Sequence, residues 1–442
     1  MEPGRGPRRS GLMPPTILWF SLVLLWVVPS PGAAQADPVL ASRAAYQLAV
    51  KAYEAHDVPA FLAHAREAER LRPDHGGVIY GLASACALSG DTAGAFGMLR
   101  RFAKLGYTAD VAADSDFARL RSLPAFEVVR RSLERNAEPV MRSQAAFTLP
   151  ERDLLTEGIA HDPRTGAFFV GSVHHRKILR VDRAGRVTEF IAPARDGLWA
   201  PLGMRTDSAR GLLWVATTAL PQMVGYDSAD AGRSGLYAFD LATGALRGRY
   251  LLPRDGATHA LGDVVITRAG DVYASDSRSP AIYRVRAGAD TLEEFLHSPL
   301  LLSAQGMAFD RAEQAMYLAD YSRGLLRVDM TTRDVQPMPA ADGVLTLGID
   351  GLSAVGGALI GVQNGVAPYR VVRLHLDGDG RRIVAADVLE RARPDYAEPT
   401  LGVVVGNTLY YVANSQWEQF RDDGTIEAPA ELKAPLILRL PL

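Results

Sequence analysis

The residues best placed to do chemistry in this chain stand one position ahead of a recurring glycine. Gly158, Gly203, Gly262, Gly306, Gly351 and Gly402 each open an apolar stretch, at spacings of 45, 59, 44, 45 and 51 residues. The residues before them are Glu157, Leu202, Leu261, Gln305, Asp350 and Leu401. Three of these carry side-chain oxygens. Two carboxylates and an amide oxygen, completed by water, suit a hard cation such as calcium or magnesium. A bound cation of that kind would polarise an ester carbonyl and acidify a water, leaving Asp350 or Asp263 as general base. The same side chains could instead bond backbone groups of neighbouring elements, as polar residues lining a closed channel do.

The elements that must position them follow from the same repeat. Each interval holds about four short apolar strand patterns separated by turn residues, as at Asp162-Pro163, Asp240 to Gly244 and Asp377-Gly378. Four strands per repeat of this length is the blade of a β-propeller, and six repeats predict six blades over 145–442. A ring needs closure, so the strand beginning at Ala145 is expected to join the last blade beside the strand beginning at Leu436. The long second interval contains PQMVGYDSADAGRSG, which reads as a loop over one face.

Ahead of the propeller, 37–138 is patterned for helices, with Ala, Leu and aromatic residues at three- and four-residue steps. Tyr53, Asp57, Phe61, Ala65 and Pro73 recur as Ala87, Asp91, Ala95, Leu99 and Tyr107, a period of 34. That period is the tetratricopeptide signature, and the segment resembles a short tetratricopeptide array. Such arrays usually bind peptides or partner proteins, so a protein partner is one expectation for this domain. The overall class is therefore mainly β, a six-bladed propeller preceded by an α-helical domain.

Residues 1–36 read as a secretory signal: Arg5, Arg8 and Arg9, an apolar run from Ile17 to Val28, then Ala34-Gln35-Ala36. The run is short for a membrane span, which needs about 20 apolar residues. The mature chain is accordingly expected in the periplasm or medium, with no membrane span. The single cysteine, Cys86, cannot form an internal disulfide and sits in a helical pattern as a small buried residue. A net charge of −2 and a pI near 6.5 give no field for nucleic acid. No phosphate-binding Gly-Lys-Ser/Thr loop, Gly-x-Ser-x-Gly elbow or CxxC pair occurs.

The openings TEGIAHD, LGDVVIT, AQGMAFD and IDGLSAV resemble the senescence-marker/gluconolactonase/luciferin-regenerating superfamily of six-bladed propellers. The resemblance covers roughly Leu149 to Leu442. It implies a divalent metal at the centre of one face and hydrolysis of lactones or related small esters. Carried onto this chain, the family's ligands fall on Glu157 and Asp350, with Gln305 in place of one Asn and Gly262, before Asp263, in place of another. His174 and His259 are further candidates, lining a substrate entrance, with His259 a possible proton shuttle. Asp276, Asp320, Asn364 and Asn414 recur after the second strand of their blades and read as turn formers. The competing reading of the whole chain is a non-catalytic binding or scaffold protein, in which both domains recruit partners.

Overall fold

The computed structural model describes residues 37–442; the proposed signal segment, 1–36, lies outside the described residues. Two compact units form among the described residues, one of 37–138 together with 366–368, the other of 139–365 and 369–442.

The helical unit is built from Pro38–Glu54, Val58–Leu71, Gly76–Ser89, Thr92–Lys104 and Pro124–Ala137, with a 3₁₀ turn at Ser115–Leu120. Its 34-residue period has a local cause. Asp57 and Asp91 occupy equivalent N-caps, accepting from the Ala60 and Gly94 N–H groups at 3.0 and 2.9 Å. Two helix pairs thus start their second helices in step, and Phe61, Ala65, Ala95 and Leu99 fill the interior between them. Gly90 ends the third helix in the left-handed region at φ 86°. Cys86 is buried as expected, and burial beside Asp91 pushes its thiol up to about 11, so it is not a ready nucleophile. Among the described residues no helix is long and apolar enough to cross a membrane.

The second unit is six four-stranded antiparallel sheets. Five are sequential meanders, blades 1 to 5, covering residues 156–191, 200–251, 261–297, 304–337 and 349–391. Blade 6 takes Gly402–Val405, Thr408–Val412 and Leu436–Pro441 from the C-terminal end and Gln144–Thr148 from the start, with Ala145 opposite Leu438. The expected closure is therefore present. It is reinforced by the fully buried Glu390, which accepts the N–H groups of Arg142 and Ser143 at 2.8 and 2.7 Å and pairs with Arg393 at 3.0 Å. Each blade packs on the next through alternating apolar faces, for example Trp214, Leu236 and Ala238 of blade 2 against Val264, Val272 and Tyr283 of blade 3.

Four of the six recurring glycines sit where inner strands of neighbouring blades touch backbone to backbone, while Gly402 meets Leu409 and Tyr410 of its own blade. A Cβ on Gly158 would stand 1.9 Å from the Leu202 carbonyl oxygen, one on Gly203 2.4 Å from that of Gly262, and one on Gly306 2.4 Å from that of Asp350. A Cβ on Gly351 would stand 3.1 Å from the Thr400 carbonyl oxygen, and Thr400 Oγ donates to the Glu157 carbonyl at 3.0 Å, returning the series to blade 1.

Gly262 breaks the pattern. A Cβ there would meet only Gln305 Oε1 at 3.7 Å and Ser275 Oγ at 3.8 Å, ordinary contact. The strand register gives the reason. Every inner strand of blades 1 to 5 opens with a β-bulge, which lies between Thr156 and Ile159, Pro201 and Met204, Leu261 and Val264, Ala304 and Met307, and Ile349 and Gly351. In blade 3 the bulged pair is Gly262-Asp263. Gly262 therefore occupies the place of Glu157 and Gln305, while Asp263 occupies the place of the packing glycines. This corrects the reading of Leu261 as the channel position of its blade. Asp263 replaces the missing backbone approach with a side-chain link, its Oδ2 accepting the Met307 N–H of blade 4 at 3.0 Å.

Alanine at Gly158, Gly203 or Gly306 is expected to cost about 1–3 kcal/mol or more through overpacking against backbone, whereas Gly262→Ala should stay within about 0.5 kcal/mol of the parent. Urea unfolding of the four variants checks this, and equal losses at all four would refute the register assignment.

Candidate functional site

The antiparallel meander fixes which face can hold a site. Inner strands start on the face that also carries the loops joining second to third strands, so the bulges, the blade-entry segments and those loops all meet there. Bulges re-aim side chains, and here they put Glu157, Gln305 and Asp350 at equivalent places around the channel mouth. Leu202, the blade 2 equivalent, packs instead with Leu155, Val173, Trp199 and Met223.

The acidic side chains at the mouth act on one another. Glu157 Oε2 accepts from Trp417 Nε1 at 2.6 Å, and Asp350 Oδ2 accepts from Asn364 Nδ2 at 2.8 Å. Burial first, then the charge of Asp350, raises the Glu157 carboxyl well above its ordinary range, against the pull of the Trp417 hydrogen bond. Burial and the Asp263 charge lift Asp350 to about 7 despite the Asn364 amide. Asp263, 2% exposed, is raised by burial, although Arg205 stands 3.9 Å from its Oδ1. Tyr321 is likewise held up by burial and by the charges of Asp350, Glu398 and Glu157.

Glu398 belongs to the same group and is absent from the sequence reading. Burial and Asp350 push its carboxyl up to about 8. It lies four residues before Gly402, in the entry segment of blade 6, at φ 62°. Arg205 was also missed; it reaches from the inner strand of blade 2 to the Gly402 carbonyl of blade 6 at 3.2 Å. Neither residue adjoins an opening glycine, so the repeat gave no signal for them.

Two buried oxygens at this mouth have no hydrogen-bond donor, Asp263 Oδ1 and Asn364 Oδ1. Buried oxygens without donors, grouped with carboxylates, are the donor chemistry that a hard cation takes. Calcium or magnesium fits this donor set, which contains no nitrogen or sulfur ligand. The carboxylates are close enough to feel each other's charge. A second group lies on the same face: Asp153, His174 and His175, whose donor atoms all fall within 4.8 Å of one another.

The two candidate entrance histidines differ in setting. His174 is 8% exposed, with Nδ1 2.6 Å from the Gln222 carbonyl oxygen and its ring 5.1 Å from that of Phe420; burial lowers its pKa. His259 is 3% exposed and held between carboxylates, its Nδ1 2.7 Å from Asp276 Oδ2 and its Nε2 3.4 Å from Asp255. Asp276 and Asp320 do form turns. Asp276 accepts the Ala260, Arg278 and Ser279 N–H groups, and Asp320 those of Leu302, Ser303, Ser322 and Arg323. Asn414 forms no such turn: it spans the base of its loop, its Oδ1 accepting the Leu436 N–H at 2.6 Å and its Nδ2 donating to the Ala434 carbonyl at 3.1 Å. Asn364 departs from the series by turning to Asp350.

Two long loops cover part of this face. Residues 219–233 form the expected excursion from blade 2. A second, 413–435 of blade 6, was not foreseen, and its Phe420 and Leu432 pack with Ala219, Met223 and Trp199.

No protein-family model matches the chain, and no curated protein does. Among solved structures it is similar to a gluconolactonase from Xanthomonas campestris, at 15% identity over 69% of this chain and 94% of that one, with a TM-score of 0.45. A calcium-binding regucalcin from Agrobacterium tumefaciens is 17% identical over 67% and 93%, with a TM-score of 0.46. A virginiamycin B lyase from Staphylococcus aureus, solved with quinupristin, is 16% identical over 66% and 83%, at 0.44.

The Asp276 hydrogen bond, then Asp276's charge, raises the His259 pKa above its ordinary 6.5. The stability this contributes is complete below the unfolded value and is lost as pH rises through the folded one. Parent protein should therefore lose more stability than His259→Gln between pH 6 and pH 9, as read by thermal unfolding; parallel curves would refute it.

Proposed function

We propose that this chain is an exported, divalent-cation-dependent hydrolase of lactones or related small esters, working at the propeller's channel mouth. The observation that carries the reading is the mutually repelling set of half-buried Glu157 and buried Asp263, Asp350 and Glu398, with the unpartnered oxygens of Asp263 and Asn364 beside it. Such a set is costly without a counter-charge. Glu157, Asp350, Asn364 and Gln305 would hold calcium or magnesium, with Asp263 and Glu398 adding charge. When bound, the cation supplies Lewis-acid polarisation of an ester carbonyl.

The remaining work falls to the chain. Asp350 is the base this reading selects, a buried carboxylate at the mouth with one oxygen left clear of the Asn364 amide. Asn364 fixes one of its oxygens and leaves the other for the proton. Trp417 orients Glu157 and brings an indole to the edge of the mouth. Arg205, beside Asp263, is placed to meet negative charge developing on substrate. The apolar patch that Met223, Phe420 and Leu432 form within the covering loops would shield the carbonyl from bulk water.

Glu157→Gln and Asp350→Asn are each expected to lower kcat/KM for a small lactone by about 10²-fold or more, with folding retained. Full activity in chelator-treated protein would refute the cation. Because Asp350 and Glu398 are raised, the folded protein takes up protons as pH falls, and a cation must displace them. Calcium or magnesium should thus raise the unfolding temperature more at pH 8 than at pH 5. Gly262→Asn, at a position whose added Cβ meets only ordinary contacts, should tighten cation binding without loss of fold.

A further inference from the structure

The Asp153, His174 and His175 group differs in kind from the oxygen-only mouth. It joins the entry segment of blade 1 to the loop between that blade's second and third strands, and the two are fixed to each other by backbone. Val173 N–H donates to the Leu155 carbonyl at 2.9 Å, His174 N–H to that of Leu154 at 3.3 Å, and Ser172 Oγ to that of Leu154 at 2.6 Å. His175 N–H closes on Ser172 Oγ at 3.1 Å. Leu155 and Arg176 adopt left-handed φ values of 46° and 54°, turning the chain sharply on either side of the group.

The imidazoles are poised differently but compatibly. A carbonyl oxygen can only accept, so His174 Nδ1 carries the hydrogen it gives to Gln222 at 2.6 Å, and Nε2 keeps the lone pair. This is the outer support that metal-binding histidines generally have. His175 Nε2 is buried 3.1 Å from Asp153 Oδ2, yet no hydrogen-bond partner is aligned with it. A ring nitrogen held 3.1 Å from a carboxylate oxygen, beside a second imidazole, gathers three metal-type donors in one place. His174 is buried, while the side chains of His175 and Asp153 are 26% and 42% exposed, so one side of the group faces solvent.

We propose that Asp153, His174 and His175 form a second cation site, selective for a transition metal of the zinc class. Two imidazoles and one carboxylate favour zinc, cobalt, nickel or copper over calcium and magnesium. Three protein ligands with an open side match the ligand count of a reactive zinc centre rather than a closed structural one. The site does not depend on the lactonase reading, because it shares no ligand with the channel mouth.

The test uses the purified chain without a polyhistidine tag, stripped with chelator and titrated with zinc alone, then cobalt alone. A single zinc equivalent that excess calcium and magnesium fail to displace is expected, and cobalt should give visible ligand-field bands. His174 is buried, so its replacement risks misfolding; Asp153→Asn and His175→Gln, partly exposed, carry the assignment. Each should weaken zinc binding at least about tenfold while circular dichroism is unchanged, and Glu157→Gln should leave it intact. Folded protein that binds no zinc would overturn the proposal, as would affinity unchanged in both variants or lost in Glu157→Gln. Loss of lactone hydrolysis with zinc binding retained bears on the channel mouth alone.

Discussion

The molecule's organisation depends on how closely six inner strands can approach around one axis. At Gly158, Gly203 and Gly306 the next blade's carbonyl occupies the space a side chain would need. That contact excludes every residue but glycine and sets the ring's inner radius. It also brings carboxylates from different blades near enough to repel, since strands in backbone contact place their first side chains around one narrow mouth. Burial and repulsion at this site are thus consequences of the packing rule, not additions to it.

The β-bulges separate two jobs that an unbroken strand would run together. One residue of each bulged pair packs against the neighbouring blade and the other addresses the channel. Blade 3 shows how strict this division is, because its glycine and its acid exchange places. Gly262 then faces the channel with nothing to offer it, and Asp263, at the packing place, satisfies the next blade through Met307. Its other oxygen is left turned toward Arg205.

Much of this was legible in the sequence because blades repeat and repetition exposes register. Six openings predicted the ring and its closure, and the residue before each glycine located Glu157, Gln305 and Asp350. The same rule misread blade 3, since Leu261 precedes a glycine that does not do the packing. Glu398 and Arg205 left no trace in the repeat, being placed by an entry loop and by reach across the channel. The Asp153 partner of the His174-His175 pair lies 21 residues upstream of His174, and only the pairing of 154–155 with 173–174 brings it alongside. Asn364 was read with Asp276 and Asp320 as a turn former because its position matches theirs; its amide turns to Asp350 instead.

The covering loops from blades 2 and 6 lie on either side of blade 1 in the ring, and Gln222 joins them. Its side-chain amide donates to Asp422 at 2.7 Å while its backbone carbonyl accepts from His174 Nδ1 at 2.6 Å. The two excursions therefore form a single arch over blade 1, with its keystone resting on a histidine. Exchanging either loop by itself, in a relative or by design, would leave the other without its abutment and release the imidazole beneath.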